Sequence, residues 1–280
     1  MADSRAQSWS RRDFVAGLVV VGTAGVLGVR PAAAEPAPET IRLRLSQIAG
    51  ICVAPQYVAQ ELLRIEGFTD VQYVNIPETN PYPAFVSGEV DISMAFVVPF
   101  LVQLDSGLPI VLLAGIHVGC FELFGTRGIR AIRDLKGKTV AVPSLNSAHH
   151  IFLSSMAAYV GLDPRKDIKW LTHDPAESAR VLADGKVDAL IGFPPVPQEL
   201  RAKGIGRVIV NSTVDRPWAN YFCCVVAANK VFVDRYPIAT KRAVRVILKA
   251  TDLCAVDPER ARGPSWIAGS RENTTTRSRR

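Results

Sequence analysis

The same local pattern occurs twice along the chain, and this repeat constrains the fold more than any other feature of the sequence. Phe85-Val86-Ser87-Gly88-Glu89-Val90-Asp91-Ile92 returns as Val181-Leu182-Ala183-Asp184-Gly185-Lys186-Val187-Asp188-Ala189-Leu190. In each copy a helical stretch stops at Gly, and a charged residue leads through Val-Asp into an apolar run. Gly closes a helix because it adopts the left-handed conformation without a Cβ penalty. One helix–Gly–strand turn is common. Two, at matching places, predict two similar α/β halves.

The surrounding periodicities fill in those halves. Ile41-Arg42-Leu43-Arg44-Leu45 alternates as a strand does. Ala54, Tyr57, Val58, Leu62 and Ile65 fall at helical spacing before Gly67. Val71 to Asn75 predicts a second strand, a short helix follows Tyr82, and Val90 to Phe96 predicts a third strand. Val97 to Leu104 reads as a helix, and the apolar run Ile110 to Ile116 reads as a strand covered on both faces. In the second half, strands are expected over Thr139 to Val142, Ile168 to Leu171, Val187 to Gly192, Val208 to Val210 and Tyr221 to Ala228. Helices are expected over Ala148 to Tyr159, from Asp174-Pro175-Ala176-Glu177 onward, and along Ala239, Ala243, Val246, Ile247, Ala250 and Leu253. Asp174 is read as an N-cap with Pro at N1 and Glu at N3.

Open α/β sheets bind ligands at the carboxyl ends of their strands. The candidate binding residues follow from that rule. Ala49 and Gly50, with the Ile51-Cys52 backbone, follow strand one. Glu78, Thr79 and Asn80 follow strand two, and Ser93 and Met94 end strand three. Ser144, Asn146, Ser147 and His149 form a polar turn opening a helix, where free N–H groups and short polar side chains converge. Phe193 and Pro194 follow the second Gly-x-Val-Asp strand, and Trp218 and Tyr221 lie near the return crossing. Each polar residue could also serve only as a cap or turn-former, and each aromatic only as core. His149 and His150 are adjacent, so on a helix they point about 100° apart and make a poor metal pair.

Several function classes are disfavoured. Of the formal charge of +7, the first 34 residues contribute +2 (Arg5, Arg11, Arg12 and Arg30 against Asp3 and Asp13). The last twenty contribute +4 (Arg262, Arg271, Arg277, Arg279 and Arg280 against Glu272), leaving +1 over residues 35–260. Basic patches with interleaved aromatics are absent, so no nucleic-acid partner is expected. No Gly-x-Ser-x-Gly, phosphate loop or His-Glu-x-x-His occurs, and no catalytic residue is assigned. The five cysteines, Cys52, Cys120, Cys223, Cys224 and Cys254, lack C-x-x-C or zinc-site spacing. They read as small buried hydrophobes, with a disulfide, which an exported chain permits but the sequence cannot pair, as the alternative; no metal site and no cofactor are expected.

The N-terminus has the layout of an export signal. Ser10-Arg11-Arg12-Asp13-Phe14 precedes an uncharged stretch to Val29, then Arg30-Pro31 and the small-residue site Ala32-Ala33-Ala34. The paired arginines resemble the twin-arginine signal. The apolar run is shorter than the roughly 18–20 residues a membrane span needs. Cleavage near Ala34 and a periplasmic location are expected.

Ala131-Ile132-Arg133-Asp134-Leu135-Lys136-Gly137-Lys138-Thr139-Val140-Ala141 resembles the start of the second lobe in periplasmic solute-binding proteins of ABC importers, the nitrate/sulfonate/taurine (NitT/TauT) group, NMT1/THI5-like. The two Gly-x-Val-Asp turns fit that group, as do Tyr236-Pro237, Lys241-Arg242-Ala243 and Asp257-Pro258-Glu259-Arg260. The resemblance covers roughly residues 41–260. It implies a two-lobed periplasmic binding protein fold (type II), each lobe a mainly parallel sheet flanked by helices. It also implies a monomer that takes a small-molecule solute to an ABC permease and its ATPase subunit, after export by the twin-arginine translocase. The expected divisions are 1–34 signal, 35–118 first part of lobe one, 119–217 lobe two, 218–260 return to lobe one, and 261–280 an aberrant tail.

Two rival functions accompany the resemblance. The thiamine-pyrimidine synthases of the same group carry a cofactor-binding Lys and a reactive His where this chain has Ala95 and Pro99. They also carry a cysteine cluster where it has Tyr221-Phe222-Cys223-Cys224. A ligand-sensing lobe that docks on a receptor is the other. The family continues past Arg260 with more helices, whereas Arg262 to Arg280 has no amphipathic period. Codons for Tyr-Asp-Tyr-Ala-Leu-Ala read one base late can give Thr274-Thr275-Thr276-Arg277-Ser278-Arg279, so a frameshift near residue 262 is expected, with the C-terminal part of the fold missing.

Overall fold

The computed structural model describes residues 35–48, 50–76, 81–174 and 177–261. Residues 1–34, where the export signal is expected, Ala49, Glu78, Thr79, Asn80 and the tail from 262 lie outside the described residues. The strands are β1 (Arg42–Gln47), β2 (Asp70–Asn75), β3 (Ile92–Phe96), β4 (Ile110–Val118), β5 (Glu122–Gly125), β6 (Thr139–Val142), β7 (Lys169–Thr172), β8 (Ala189–Gly192), β9 (Arg207–Asn211) and β10 (Phe222–Asn229). The helices are α1 (Ala54–Val58), α2 (Gln60–Ile65), α3 (Tyr82–Val86), α4 (Val97–Asp105), α5 (Ala148–Tyr159), α6 (Ser178–Ala183), α7 (Val196–Lys203), α8 (Lys230–Arg235), α9 (Pro237–Val256) and α10 (Pro258–Ala261). None of the described helices is long and apolar enough to cross a membrane.

Five strands form the second-lobe sheet, in the order β7-β6-β8-β5-β9. In the first lobe β1 pairs parallel with β2, and β3, β10 and β4 form an antiparallel set. β1 meets β3 through a different kind of seam. The Arg44 N–H donates to the Asp91 carboxylate at 2.8 Å, the Asp91 N–H donates to the Arg44 carbonyl at 2.9 Å, and the Ser46 N–H donates to the Ser93 hydroxyl at 3.2 Å.

The repeated turns build the same structure in both lobes. Gly88 and Gly185 have φ of 75° and 67°, the left-handed region that favours glycine. Ser87 and Asp184 donate back to the carbonyls of Pro83 and Arg180, and Gly88 and Gly185 to those of Phe85 and Leu182. Asp91 then exchanges bonds with Arg44 of β1, as Asp188 does with Thr139 of β6: its N–H reaches the Thr139 carbonyl at 2.8 Å, and its carboxylate takes the Thr139 N–H at 2.9 Å. The carbonyls of Asp91 and Asp188 accept from Asn229 and Thr126 at 2.9 and 2.8 Å.

Core and surface follow the residue pattern. Leu43 and Leu45 of β1 are fully buried, and so are Ala239, Ala243, Val246, Ile247 and Ala250 on one face of α9. Glu39 accepts from the N–H groups of Ile238 and Ala239 at the start of α9, and Glu66 pairs with Arg242 and Arg245 further along. A carboxylate near a helix N-terminus satisfies donors that have no partner within the helix.

Four features differ from the sequence reading. The parallel pairs are β1/β2, β6/β7 and β6/β8; β10 runs antiparallel to both neighbours, and β5 likewise. The cause is topological: a strand that returns from the other lobe enters the sheet from the opposite end. For the same reason Ile110–Val118 ends its sheet, half-buried along most of its length instead of covered on both faces. β5 and α7 had no counterpart in the expectations. β5 is short and wholly buried, hence without alternation, and the prolines ahead of α7 read as loop although Pro is tolerated in a first turn. α6 begins at Ser178, with Glu177 at its N-cap and no side-chain cap bond; Pro175 and Ala176, central to the expected capping box, lie outside the described residues.

Candidate functional site

β6 ends at Val142, and the chain turns through Pro143 to Ser147 into α5. Asn146 sits at φ 65°, a left-handed position that Asn tolerates better than most residues. Its backbone N–H donates to His150 Nδ1 at 3.1 Å. Ser147 is the N-cap: its hydroxyl accepts from the His150 N–H and donates to the Ser144 carbonyl at 2.7 Å. The Ser144 hydroxyl oxygen is buried with no hydrogen-bond partner among the described residues. A buried hydroxyl left in that state costs about 1–3 kcal/mol, which a bound group accepting from it or donating to it would offset.

Opposite this turn are the ends of β1 and β3 and the start of α4. A cavity of about 100 Å³ is enclosed between the two lobes, with Ile48, Tyr82, Phe96 and Pro99 on one side and Asn146, Ser147 and His149 on the other. A wider opening of about 880 Å³ shares Tyr82 and Asn146 with it and adds Gln103 and Ser144. A third cavity, about 550 Å³, shares Phe96 and Ala148. It is largely apolar and aromatic, with Phe121, Phe152, Tyr159, Trp218 and Tyr221 in its wall.

The structure brings some of the expected site residues together and separates others. Asn146, Ser147 and His149 line the small cavity, and Ser144 borders the wide opening. A Cβ built on Gly50 would stand 3.5 Å from the Phe193 ring, so these two meet across the lobes. The Phe193 ring lies 5.1 Å from both Phe96 and His149. Trp218 belongs to the 550 Å³ cavity, edge-on to Tyr159 at 5.2 Å. Ser93 and Met94 are fully buried and line none of the three cavities. Gln56 holds both: its Oε1 accepts from the Ser93 hydroxyl and the Met94 N–H at 2.7 Å each, while its Nε2 donates to the Ser46 carbonyl. Those groups are spent on first-lobe structure. Ala49 and Thr79 lie outside the described residues.

The two histidines diverge. His149 is buried beside Phe121 and Phe193, and burial pushes its imidazole down to about 3, so it is neutral. His150 faces Trp170 edge-on at 4.6 Å. The aromatics Phe96 and Phe121 went unnoticed in the sequence because they come from separate elements. The one available signal was that each stands at a strand boundary, where ligands bind.

A second cluster, of groups able to ligate a metal, was also invisible in the sequence. His117, Cys120 and Cys223 place one potential ligand atom each within 4.8 Å of one another. Cys120 also contacts the thiols of Cys52 and Cys224, and hydrogen bonds from Cys223, Cys224 and Cys52 hold the Cys120 thiol below its usual range. The sequence has no metal-site spacing to mark these residues, because they are remote in the chain and the fold gathers them.

The two-lobed α/β architecture, with its cavity at facing strand ends, defines a periplasmic-binding-protein fold. The alkanesulfonate-binding protein SsuA of Xanthomonas axonopodis pv. citri, bound to MOPS, is similar in structure, with TM-score 0.65, 21% identity, and 86% of this chain and 81% of that chain covered. The periplasmic nitrate-binding protein NrtA of Synechocystis PCC 6803 has TM-score 0.65 at 18% identity, covering 80% and 64%. The Candida albicans CA3427 gene product, described as having the generic periplasmic binding protein fold, has TM-score 0.61 at 15% identity, covering 84% and 80%. No curated protein sequence matches. The NMT1-like family matches residues 36–267, and the chain belongs to it.

Proposed function

We propose that this chain is the extracytoplasmic solute-binding component of an ABC importer, exported through its twin-arginine signal and delivering its solute to a permease and ATPase. The observation that carries the reading is the cavity between the lobes, which meets the N-terminus of α5 beside the unpartnered Ser144 hydroxyl. A helix N-terminus carries about half a unit of positive charge with unpaired N–H donors, and it receives anionic or polar groups. The 100 Å³ cavity suits one such group. The adjoining aromatic cavity suits an apolar or heteroaromatic body. The solute class is thus a small sulfonate, carboxylate or pyrimidine-like molecule, held without an arginine. Binding energy closes the lobes by biasing an existing equilibrium.

A synthase-like enzyme is the weaker reading. Ala95 and Pro99, at the places of that enzyme's Lys and His, both line the small cavity without a titratable group. His149, buried and neutral, has no acid–base partner at hydrogen-bond distance among the described residues.

The test is calorimetry and thermal-shift screening of the exported chain against sulfonates, carboxylates and pyrimidines, followed by substitution. Ser144→Ala and Asn146→Gly, the latter keeping the left-handed backbone, should each weaken the identified solute roughly tenfold, about 1.4 kcal/mol. Unliganded melting should not fall with Ser144→Ala, whose hydroxyl has no bond to lose. Unchanged affinity in both would remove the turn from the binding site.

A further inference from the structure

We propose that His117, Cys120 and Cys223, with Cys52 or Cys224 as a fourth donor, form a binding site for a thiophilic d10 cation, Zn²⁺ or Cu⁺, at the crossing between the lobes. The first three donors lie within 4.8 Å of one another. A tetrahedral ion with metal–sulfur bonds of about 2.3 Å sets its sulfurs roughly 3.8 Å apart. Closure onto an ion therefore needs shifts of about an ångström. Three separate segments supply the ligands: the turn after β1, the end of β4 with the residues that follow it, and the start of β10.

The backbone at the site is irregular in ways that bring the thiols inward. Consecutive residues of a regular strand face opposite sides. Here the β10/β4 register shifts between Phe222 and Cys224 and again between Cys224 and Val225, and Cys223 lies with Cys120 and His117 at this irregularity. Cys120 itself has φ 101°, a conformation uncommon for a residue with a side chain. Such backbone conformations persist where the surroundings enforce them and cluster at functional sites. His117 Nε2 lies 3.2 Å from the Cys52 carbonyl and Nδ1 3.4 Å from the Val118 carbonyl, so ligation through one nitrogen releases its carbonyl while the other keeps the bond that orients the ring. Soft thiolates with one imidazole select Zn²⁺ or Cu⁺ over the hard cations. On binding, each ligating thiol gives up its proton to solvent, so the ion's charge is met by thiolates.

The location gives the site a consequence. Cys52 follows Gly50, whose surroundings are the Cys52 sulfur and the Phe193 ring. Cys223 lines the 550 Å³ aromatic cavity. An ion here ties the first-lobe loop to both crossing segments.

The experiment uses the full chain, purified anaerobically with reductant that is then removed. With Zn²⁺ alone, mass spectrometry of the dialysed protein should find close to one metal per chain. Co²⁺ should develop a thiolate charge-transfer band and the visible bands of a tetrahedral site. Competition with a Cu⁺ chelator decides between the two ions. Cys120→Ala/Cys223→Ala should weaken binding roughly a hundredfold or more, while Cys254→Ala, outside the cluster, should leave it unchanged. If the double variant does not fold, His117→Ala gives the same reading, with circular dichroism as the check. Failure of folded wild-type chain to retain either ion overturns the proposal. So does alkylation of the unreduced, denatured chain that labels only three of the five cysteines, since two would then be joined in a disulfide.

Discussion

Asp91 and Asp188 make matching backbone bonds in the two lobes, but their surroundings differ. The Asp91 side chain is 4% exposed and is gripped by the Arg44 guanidinium at 2.6 and 3.0 Å. The Asp188 side chain is 36% exposed and has Lys138 at 3.9 Å. The same contrast holds at the strand ends. In the first lobe Gln56, Ser46 and Ser93 satisfy one another inside the core, whereas in the second lobe Ser144 and Asn146 stand at an opening. The repeated motif thus specifies the turn. What surrounds it decides whether the polar groups are spent within the core or stand at an opening.

The largest break in this comparison should come from Asp91→Ala. It leaves Arg44 without its partner and the Arg44 N–H without an acceptor, and should cost about 3–5 kcal/mol. Asp188→Ala should cost about 1 kcal/mol, because water replaces much of what is lost. Denaturant titration of both variants checks the difference, and equal losses would erase the contrast.

Acid should come next. Burial lowers the His149 imidazole to about 3 from an ordinary 6.5. Its contribution is complete above pH 6.5. It declines as pH falls toward 3, because the unfolded chain takes up a proton that the folded one refuses. The slope is about 1.4 kcal/mol per pH unit. Melting temperatures of wild type and His149→Leu, compared between pH 7 and 5, should diverge in slope; parallel curves would place the imidazole in contact with water.

The smallest effect sharpens the assignment of roles within the turn. Ser147→Ala removes the N-cap of α5 and should cost about 1 kcal/mol of stability. Its unfolding midpoint should drop while that of Ser144→Ala rises, since the Ser144 hydroxyl is buried with no bond to lose and its removal relieves that cost.

Much of this was legible from the residues. The repeat predicted two similar halves, and β6 and α5 appear where the strand–turn–helix pattern of Thr139 to Tyr159 places them. Local periodicity and capping chemistry suffice for that. They could not show that Ser93 and Met94 turn inward, because that depends on Gln56, thirty-seven residues earlier than Ser93 in the chain. Nor could they gather Cys52, Cys120 and Cys223, which are joined by topology and a strand irregularity, with no sequence spacing to mark them. The antiparallel run of β10 escaped for the same reason: direction within a sheet is set by where the chain comes from.

That last strand also fixes an order of events. The second-lobe sheet uses only residues 122–211, one uninterrupted stretch. The first-lobe set β3-β10-β4 lacks its middle member until residues 222–229 exist. A chain lengthening from its N-terminus can therefore finish the later lobe while the earlier one still shows two open edges, on β3 and on β4. Such edges recruit other strands, and non-local pairing closes slowly. The half that is made first is the half that matures last, and the time between is when this protein is most exposed to aggregation.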